Sequence, residues 1–175
     1  KAILVTKLKA SIQKMQAANR FSDEEIIDFL NLDLKTFKTY IKEIEAGVKI
    51  FLNYAELDIG QSLIFQNGHC LGLETITGTD EMIRAIIKFR ERNYKRPKEI
   101  LSGGILIKGS KPDQVLDIDT PVIGPDTIKL AKNAKLNGVV IESNKVILVN
   151  RDLIIEMLQS YNMFLASIKF FGKRL

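Results

Sequence analysis

Residues 104–127 have the sequence GILIKGSKPDQVLDIDTPVIGPDT, in which a charged loop joins two regular elements. The apolar run from Gly104 to Ile107 predicts a buried strand. Pro125 can occupy the first turn of a helix, whose apolar positions continue at Leu130 and Ala131. The charged residues between Gly104 and Thr127 are two lysines and four aspartates: Lys108, Lys111, Asp113, Asp117, Asp119 and Asp126. Because loops held between a strand and a helix often carry function, this loop is the first candidate for a site.

The composition is that of an ordinary globular domain. The chain has 175 residues, of which 46% are hydrophobic and 27% charged. No apolar run approaches the roughly 18 residues that a spanning helix needs. One cysteine and one histidine exclude an internal disulfide and a zinc cage of these residues, and we expect a cytoplasmic protein. The net charge of +5 is too small to indicate nucleic acid by itself.

Helical spacing of apolar residues predicts helices over residues 1–53. Ser22 precedes Glu25 by three residues, the pattern of a capping box, and Asp33 can cap a further helix. Residues 22–44 therefore resemble a helix-turn-helix, with lysines on the second helix that could meet phosphates. Nearby acids almost cancel these lysines, so DNA binding is the least favoured class of function.

From residue 57 onward the pattern alternates between strands and helices. Asn67-Gly68 predicts a tight hairpin, in which Cys70 is expected to be buried and His69 exposed. Further strands are predicted at 138–142, 146–149 and 164–168, and helices at Pro125 and at Asp152. The side chain of Thr79 or Asp80 can cap a further helix. This order predicts an α/β fold with a mixed sheet and flanking helices, preceded by a short helical segment.

Two basic segments allow more than one interpretation. Residues 88–98 contain six bases and one acid, which is typical of a solvated helix end but would also suit anionic lipid headgroups or a substrate diphosphate. The tail from Lys169 contains Phe170 and Phe171, which could contact a membrane or a partner.

Several short motifs follow one another along the chain, and together they resemble the C-terminal domain of the LpxI family. They are Leu57-Asp-Ile-Gly-Gln-Ser, Leu73-Glu-Thr-Ile-Thr-Gly-Thr-Asp, Gly104-Ile-Leu-Ile-Lys with Lys111-Pro-x-Gln, Asp119-x-Pro-x-Ile-Gly-Pro-Asp-Thr, and Leu136-x-Gly-Val-Val-Ile-Glu. The family comprises UDP-2,3-diacylglucosamine pyrophosphatases of lipid A biosynthesis. The resemblance extends over residues 35–168.

The resemblance implies metal-dependent hydrolysis of UDP-2,3-diacylglucosamine to UMP and 2,3-diacylglucosamine 1-phosphate, with Mg²⁺ or Mn²⁺ as cofactor. It implies catalytic roles for Asp119, Asp80 and Lys111, of which the two aspartates would also hold the metal. The residues implied to bind or support the substrate are Glu74, Gly78, Thr79, Lys108, Gln114, Asp126 and Thr127. This chemistry is reasonable, since Mg²⁺ prefers one or two carboxylates and lysines neutralise phosphates.

The resemblance also implies a domain plan and partners. Residues 1–53 would be a helical segment or linker of a larger chain, and residues 54–175 the C-terminal α/β domain. We expect a preceding domain of the same protein, without which this part would be weakly active or inactive. The partners would be the lipid-linked nucleotide sugar and the inner leaflet of the inner membrane, with peripheral attachment; a homodimer stays open.

Some loop positions depart from the family pattern. Asp113 stands where the family has Gly, Val115 where it has Asp, and Asp117 where it has Arg; Thr77 replaces an acid. Loss of the Arg removes a bidentate phosphate donor. These changes favour an alternative function: a catalytically degenerate domain that keeps the fold and binds an anionic lipid or a protein partner.

Overall fold

A computed structural model describes residues 26–30, 34–111 and 120–170, with side chains from residue 40 onward. The strands are β1 Ile26–Leu30, β2 Ser62–Gln66, β3 His69–Leu73, β4 Ile105–Lys108, β5 Val122–Ile123, β6 Gly138–Glu142, β7 Ile147–Leu148 and β8 Phe164–Ile168. The helices are α1 Leu34–Ala55, α2 Thr79–Arg92, α3 Lys98–Leu101, α4 Pro125–Asn133 and α5 Arg151–Ser160. The predicted α/β fold with a mixed sheet and flanking helices is confirmed.

The main sheet has six strands in the order β1-β8-β6-β4-β2-β3. Strands β4, β6 and β8 run parallel, whereas β1, β2 and β3 are antiparallel to their neighbours. Both outer pairings contain a register shift, between Ile26 and Asp28 in β1 and between Ile64 and Phe65 in β2 opposite β3. The parallel strands end at a common border of the sheet, which we call the carboxyl edge.

Alternating side chains of the sheet build two hydrophobic cores. Ile105 and Ile107 of β4 contribute to the core that α1 covers. Leu106 lies on the opposite face, in the core covered by α2, α4 and α5. Side chains of a strand alternate between the two faces of the sheet, and helices cover both faces here. Every residue of β4 is therefore buried. Helix α1 extends to Ala55 and packs directly on the sheet.

The hairpin between β2 and β3 forms at the predicted place. Asn67 and Gly68 both have positive φ angles, of 49° and 81°, as a two-residue turn requires. His69 is exposed, as predicted. The burial predicted for Cys70 is wrong: the residue lies on β3, an outer strand, and is exposed. The predicted side-chain caps of α2 are also wrong, since its N-cap is Gly78, with no side-chain cap bond.

The helix predicted at residues 26–30 is wrong. Ile26–Leu30 is a strand that pairs antiparallel with Phe164–Ile168, so these residues cannot form the first helix of a helix-turn-helix. The apolar spacing there suits both structures, and backbone pairing with a distant strand decides between them. Ser22, Glu25 and Asp33 lie outside the described residues.

Two further predictions need correction. The strand predicted over residues 146–149 shrinks to Ile147–Leu148, which pairs with β5 rather than joining the main sheet. Phe170 does not face outward: it is buried, with its ring 5.4 Å from that of Phe51 in an edge-on contact. Phe171 lies outside the described residues.

The basic segment at the end of α2 contains one residue with a structural role. Arg90 is buried, and its guanidinium donates hydrogen bonds to Gln66 Oε1 at 2.6 Å, to the Gly103 carbonyl at 2.9 Å and to the Ala134 carbonyl. Burial lowers the pKa of Arg90. These contacts stabilise the border opposite the carboxyl edge, about 16 Å along α2 from Thr79 at a rise of about 1.5 Å per residue. The charged segment is therefore remote from the helix N-terminus that the loop motifs surround.

Within the described residues, no helix is both long enough and apolar enough to cross a membrane.

Two isoleucines provide a test of the core. Ile107 is fully buried in β4, whereas Ile76 is fully exposed in the loop after β3. Ile107→Ala removes the same atoms as Ile76→Ala but leaves a cavity, so we expect it to lower the free energy of unfolding by about 3 kcal/mol. Ile76→Ala should change it by less than about 0.5 kcal/mol. Urea unfolding of both variants measures this difference, and similar losses in the two would contradict the core assignment.

Candidate functional site

The carboxyl edge gathers the loop motifs from distant parts of the sequence. Strands β3, β4 and β6 end there, and β2 begins there because it is antiparallel to β4. Helices α2 and α4 both begin just beyond this edge, at Thr79 and Pro125. In open α/β sheets the crevice beyond the carboxyl ends of the strands is the usual place for a ligand.

A buried polar cluster lies at the end of β4. The ammonium of Lys108 donates a hydrogen bond of 2.6 Å to Thr79 Oγ1 and lies 3.5 Å from Glu74 Oε2. Thr79 in turn donates to Glu74 Oε2 at 2.6 Å, and Ser62 Oγ donates to the same carboxylate oxygen. We call Ser62, Glu74, Thr79 and Lys108 the lysine cluster.

Burial explains why the lysine cluster is so fully connected. Only 4% of Lys108 and 9% of Glu74 is exposed to solvent. Removing a charge from water is costly unless an opposite charge and hydrogen bonds replace the lost solvation. Glu74 supplies the charge and Thr79 an acceptor oxygen, so the ammonium is held in one position at the edge of the sheet.

The N-termini of α2 and α4 meet beside the lysine cluster. Thr127 Oγ1, in the first turn of α4, donates a 2.8 Å hydrogen bond to Asp80 Oδ1, in the first turn of α2. Gly78 precedes α2 with a φ of 86°, which favours glycine. The first N–H groups of a helix lack intrahelical partners and carry partial positive charge, so two adjacent N-termini suit an anion.

Two other candidate residues, Lys111 and Asp126, form ion pairs with residues that are not part of the lysine cluster. Lys111 forms an ion pair with Asp58, with 2.7 Å between Nζ and Oδ1. Asp126 is largely exposed and pairs with Lys129 within α4, a contact that raises the Lys129 pKa. Gln114 and Asp119 lie outside the described residues.

Sequence patterns did not single out Ser62, although it closes the first of the motifs quoted above. It begins β2, whose three central residues are apolar, and lies directly opposite Lys108 in the register of β2 with β4. A polar residue at the end of a buried strand is a signal for such a position, but its partner depends on the register, which the sequence does not reveal.

A second unrecognised residue is Tyr54, at the end of α1. Its hydroxyl is buried without a hydrogen-bond partner among the described residues. Burial, the negative charge of Glu74 and the proximity of Cys70 raise the pKa of Tyr54 to about 12. A Cβ at Gly60 would lie 2.1 Å from the Tyr54 hydroxyl and 2.3 Å from the Glu74 carbonyl oxygen, so only glycine fits between them.

The carboxylate of Asp80 is a candidate metal ligand at this edge. The described residues contain no group of three or more histidine, cysteine, aspartate or glutamate side chains that could hold a metal. Mg²⁺ usually takes one or two carboxylates and completes its shell with water and phosphate oxygens. The half-buried carboxylate of Asp80 is a ligand of this kind. Only one of its two oxygens, Oδ1, takes part in the hydrogen bond from Thr127.

The fold and the lysine cluster define an α/β domain with a buried, hydrogen-bonded lysine at its carboxyl edge. Comparison with known sequences gives the family: residues 32–166 match the LpxI C-terminal domain, and the chain belongs to this family. It is 30% identical over 129 residues to the UDP-2,3-diacylglucosamine pyrophosphatase LpxI of Caulobacter vibrioides. That alignment covers 74% of this chain and 45% of the relative, so the match spans about half the relative's length. The resemblance inferred from the motifs is confirmed.

Tyr54→Phe tests the environment of the lysine cluster through pH. The pKa of the Tyr54 phenol is 10.0 in the unfolded chain and about 12 in the folded protein. Its contribution to stability is therefore complete below pH 10.0 and is lost as the pH rises to about 12. We expect the parent to lose stability more steeply than Tyr54→Phe across this interval, as measured by urea unfolding at stepped pH. Tyr94→Phe, at an exposed tyrosine, is the matched control; parallel profiles for parent and Tyr54→Phe would contradict the assignment.

Proposed function

We propose that this chain is the C-terminal domain of an enzyme that hydrolyses the diphosphate of UDP-2,3-diacylglucosamine in lipid A biosynthesis. The products would be UMP and 2,3-diacylglucosamine 1-phosphate. Membership of the LpxI family and the name of the Caulobacter relative support the reaction. The observation that carries the proposal is the lysine cluster, because it fixes a cation beside two helix N-termini.

In this proposal the carboxyl edge binds the diphosphate. Lys108 and Lys111 neutralise charge on the phosphoryl oxygens, while the first backbone N–H groups of α2, including that of Thr79, and of α4 donate hydrogen bonds. Glu74 and Ser62 keep Lys108 and Thr79 in place. Gly78 lets the chain turn into α2 without a side chain in the path of the anion.

Asp80 and Asp119 are proposed to hold Mg²⁺ or Mn²⁺. When bound, such an ion withdraws charge from phosphoryl oxygens and makes a bound water more acidic. The hydrolysis itself requires an oxygen of water to bond to phosphorus while a bridging P–O bond breaks and UMP leaves. The carboxylates of this loop are the groups available to hold the water and accept its proton. Gln114, Asp126 and Thr127 would support the loop and the start of α4.

The proposed substrate has two acyl chains, so the enzyme would meet it at a membrane surface. We propose peripheral contact with the cytoplasmic side of the inner membrane. The remaining half of the relative's length lies outside the match, and a further domain of the same protein is proposed to complete the site.

Release of UMP by the full-length protein tests the proposed reaction. We expect release from UDP-2,3-diacylglucosamine that requires Mg²⁺ or Mn²⁺ and disappears with chelator. Asp119→Ala should reduce the rate at least about 100-fold, since it removes a ligand or water-holding carboxylate. Asp152→Ala, at an exposed aspartate of α5, is the control for loss of one aspartate. No release by a folded parent would instead support a domain that only binds an anionic lipid or a protein partner.

Lys108→Met tests the cation in the lysine cluster. It removes the charge proposed to face the phosphates, and we expect kcat/KM to fall about 100-fold. Because it also leaves Glu74 without its charge partner, the double variant Lys108→Met/Glu74→Gln should recover thermal stability but not activity. Lys88→Met, at an exposed lysine of α2, is the control. Full activity in the folded double variant would contradict the role of Lys108.

A further inference from the structure

A second buried carboxylate lies at the carboxyl edge, on the face opposite the lysine cluster. Glu142 ends β6 and is only 6% exposed. Its Oε2 accepts hydrogen bonds from the Ser110 N–H at 2.9 Å and from the Ser110 hydroxyl at 3.1 Å. Its Oε1 pairs with Lys145, in the turn after β6, at 3.1 Å. The carboxylate thus connects the exit of β4 to the exit of β6.

The backbone beside Glu142 is held closely from several sides. A Cβ at Gly109 would lie 2.8 Å from ring atoms of both Phe51 and Phe170 and 2.9 Å from Glu142 Oε2. Gly109 N–H donates to the Gln61 carbonyl at 3.0 Å, on the side of β2. Two residues of chain are therefore fixed between Lys108 and Lys111, by β2 on one side and by β6 on the other.

We propose that Glu142 is a positioning residue for the diphosphate site: by holding Ser110, it sets the direction in which Lys111 leaves the sheet. The inference depends on the proposed function, in which Lys111 meets the phosphates. An acceptor oxygen is needed at this position, and the carboxylate supplies one: Oε2 accepts from the amide and the hydroxyl of Ser110, while Oε1 pairs with Lys145. An apolar side chain would fill the space but leave the buried Ser110 N–H without an acceptor.

This role makes Glu142 and Lys111 interdependent, which a residue that only stabilises the fold would not show. If Glu142 acts by placing Lys111, its removal should matter only while the Lys111 ammonium is present. Two residues that act separately give losses that multiply, whereas coupled residues do not. A double-mutant cycle on kcat/KM therefore distinguishes positioning from general stability.

The experiment measures UMP release by the full-length protein for the parent, Glu142→Ala, Lys111→Met and the double variant. We expect Glu142→Ala to lower kcat/KM about tenfold in the parent background and less than about twofold in the Lys111→Met background. Glu142→Gln keeps an acceptor oxygen for Ser110, so it should retain activity within about twofold of the parent. Glu156→Ala, at an exposed glutamate of α5, is the control. If Glu142→Ala does not fold, Glu142→Asp, which draws the carboxylate back from Ser110, takes its place in the cycle.

The outcomes distinguish a failure of the positioning role from a failure of the proposed hydrolysis. A parent that releases no UMP overturns both. An active parent in which Glu142→Ala, or its Asp substitute, costs the same factor with and without Lys111→Met overturns the positioning role alone. Unchanged activity in the folded Glu142 variant also overturns the positioning role alone. Loss confined to the background that contains Lys111, with rescue by Gln, supports it.

Discussion

The buried ammonium of Lys108 imposes a constraint on much of the domain. The groups around it come from separate elements: Glu74, directly after β3, and Thr79, at the start of α2, contact the ammonium, and Ser62, at the start of β2, donates to both of them. Each must be delivered to within hydrogen-bond distance, or the charge remains unsolvated inside the protein. The register of β2 with β4 and the entry of α2 are therefore tied to one another through a single side chain.

Local patterns predicted those parts of the fold that local physics decides. Asn67-Gly68 specifies a tight turn through its tolerance of positive φ, and Pro125 starts a helix because its missing N–H has no helical partner to lose. The apolar runs of β4 and β6 could only be buried strands of a covered sheet. Interactions between distant residues were not accessible in this way. Ile26–Leu30 forms a strand because it pairs with Phe164–Ile168, and nothing in the sequence near residue 26 specifies that partner.

The same distinction, between local patterns and contacts of distant residues, applies to the candidate site. Glu74, Thr79 and Lys108 were recognised from family motifs, and the described structure brings them together. Ser62, Tyr54 and Glu142 were missed, since their roles depend on strand register and on which face of the sheet each side chain occupies. For Arg90 the error has the opposite sense. As one base in a basic run it suggested an exposed patch. In the structure it is buried at the border opposite the carboxyl edge, where it donates hydrogen bonds to three acceptors.

The register shifts in the two outer strand pairings have a consequence for how these molecules behave at high concentration. A flat, regular border strand offers its unpaired backbone groups as a template on which another molecule can add a strand. Here the β1 and the β2–β3 pairings are both irregular, and such irregularities bend and twist a strand. Neighbouring molecules therefore meet borders that do not match an incoming extended chain. Within the described residues the sheet ends at six strands, and these irregular borders disfavour its extension by a strand from another molecule.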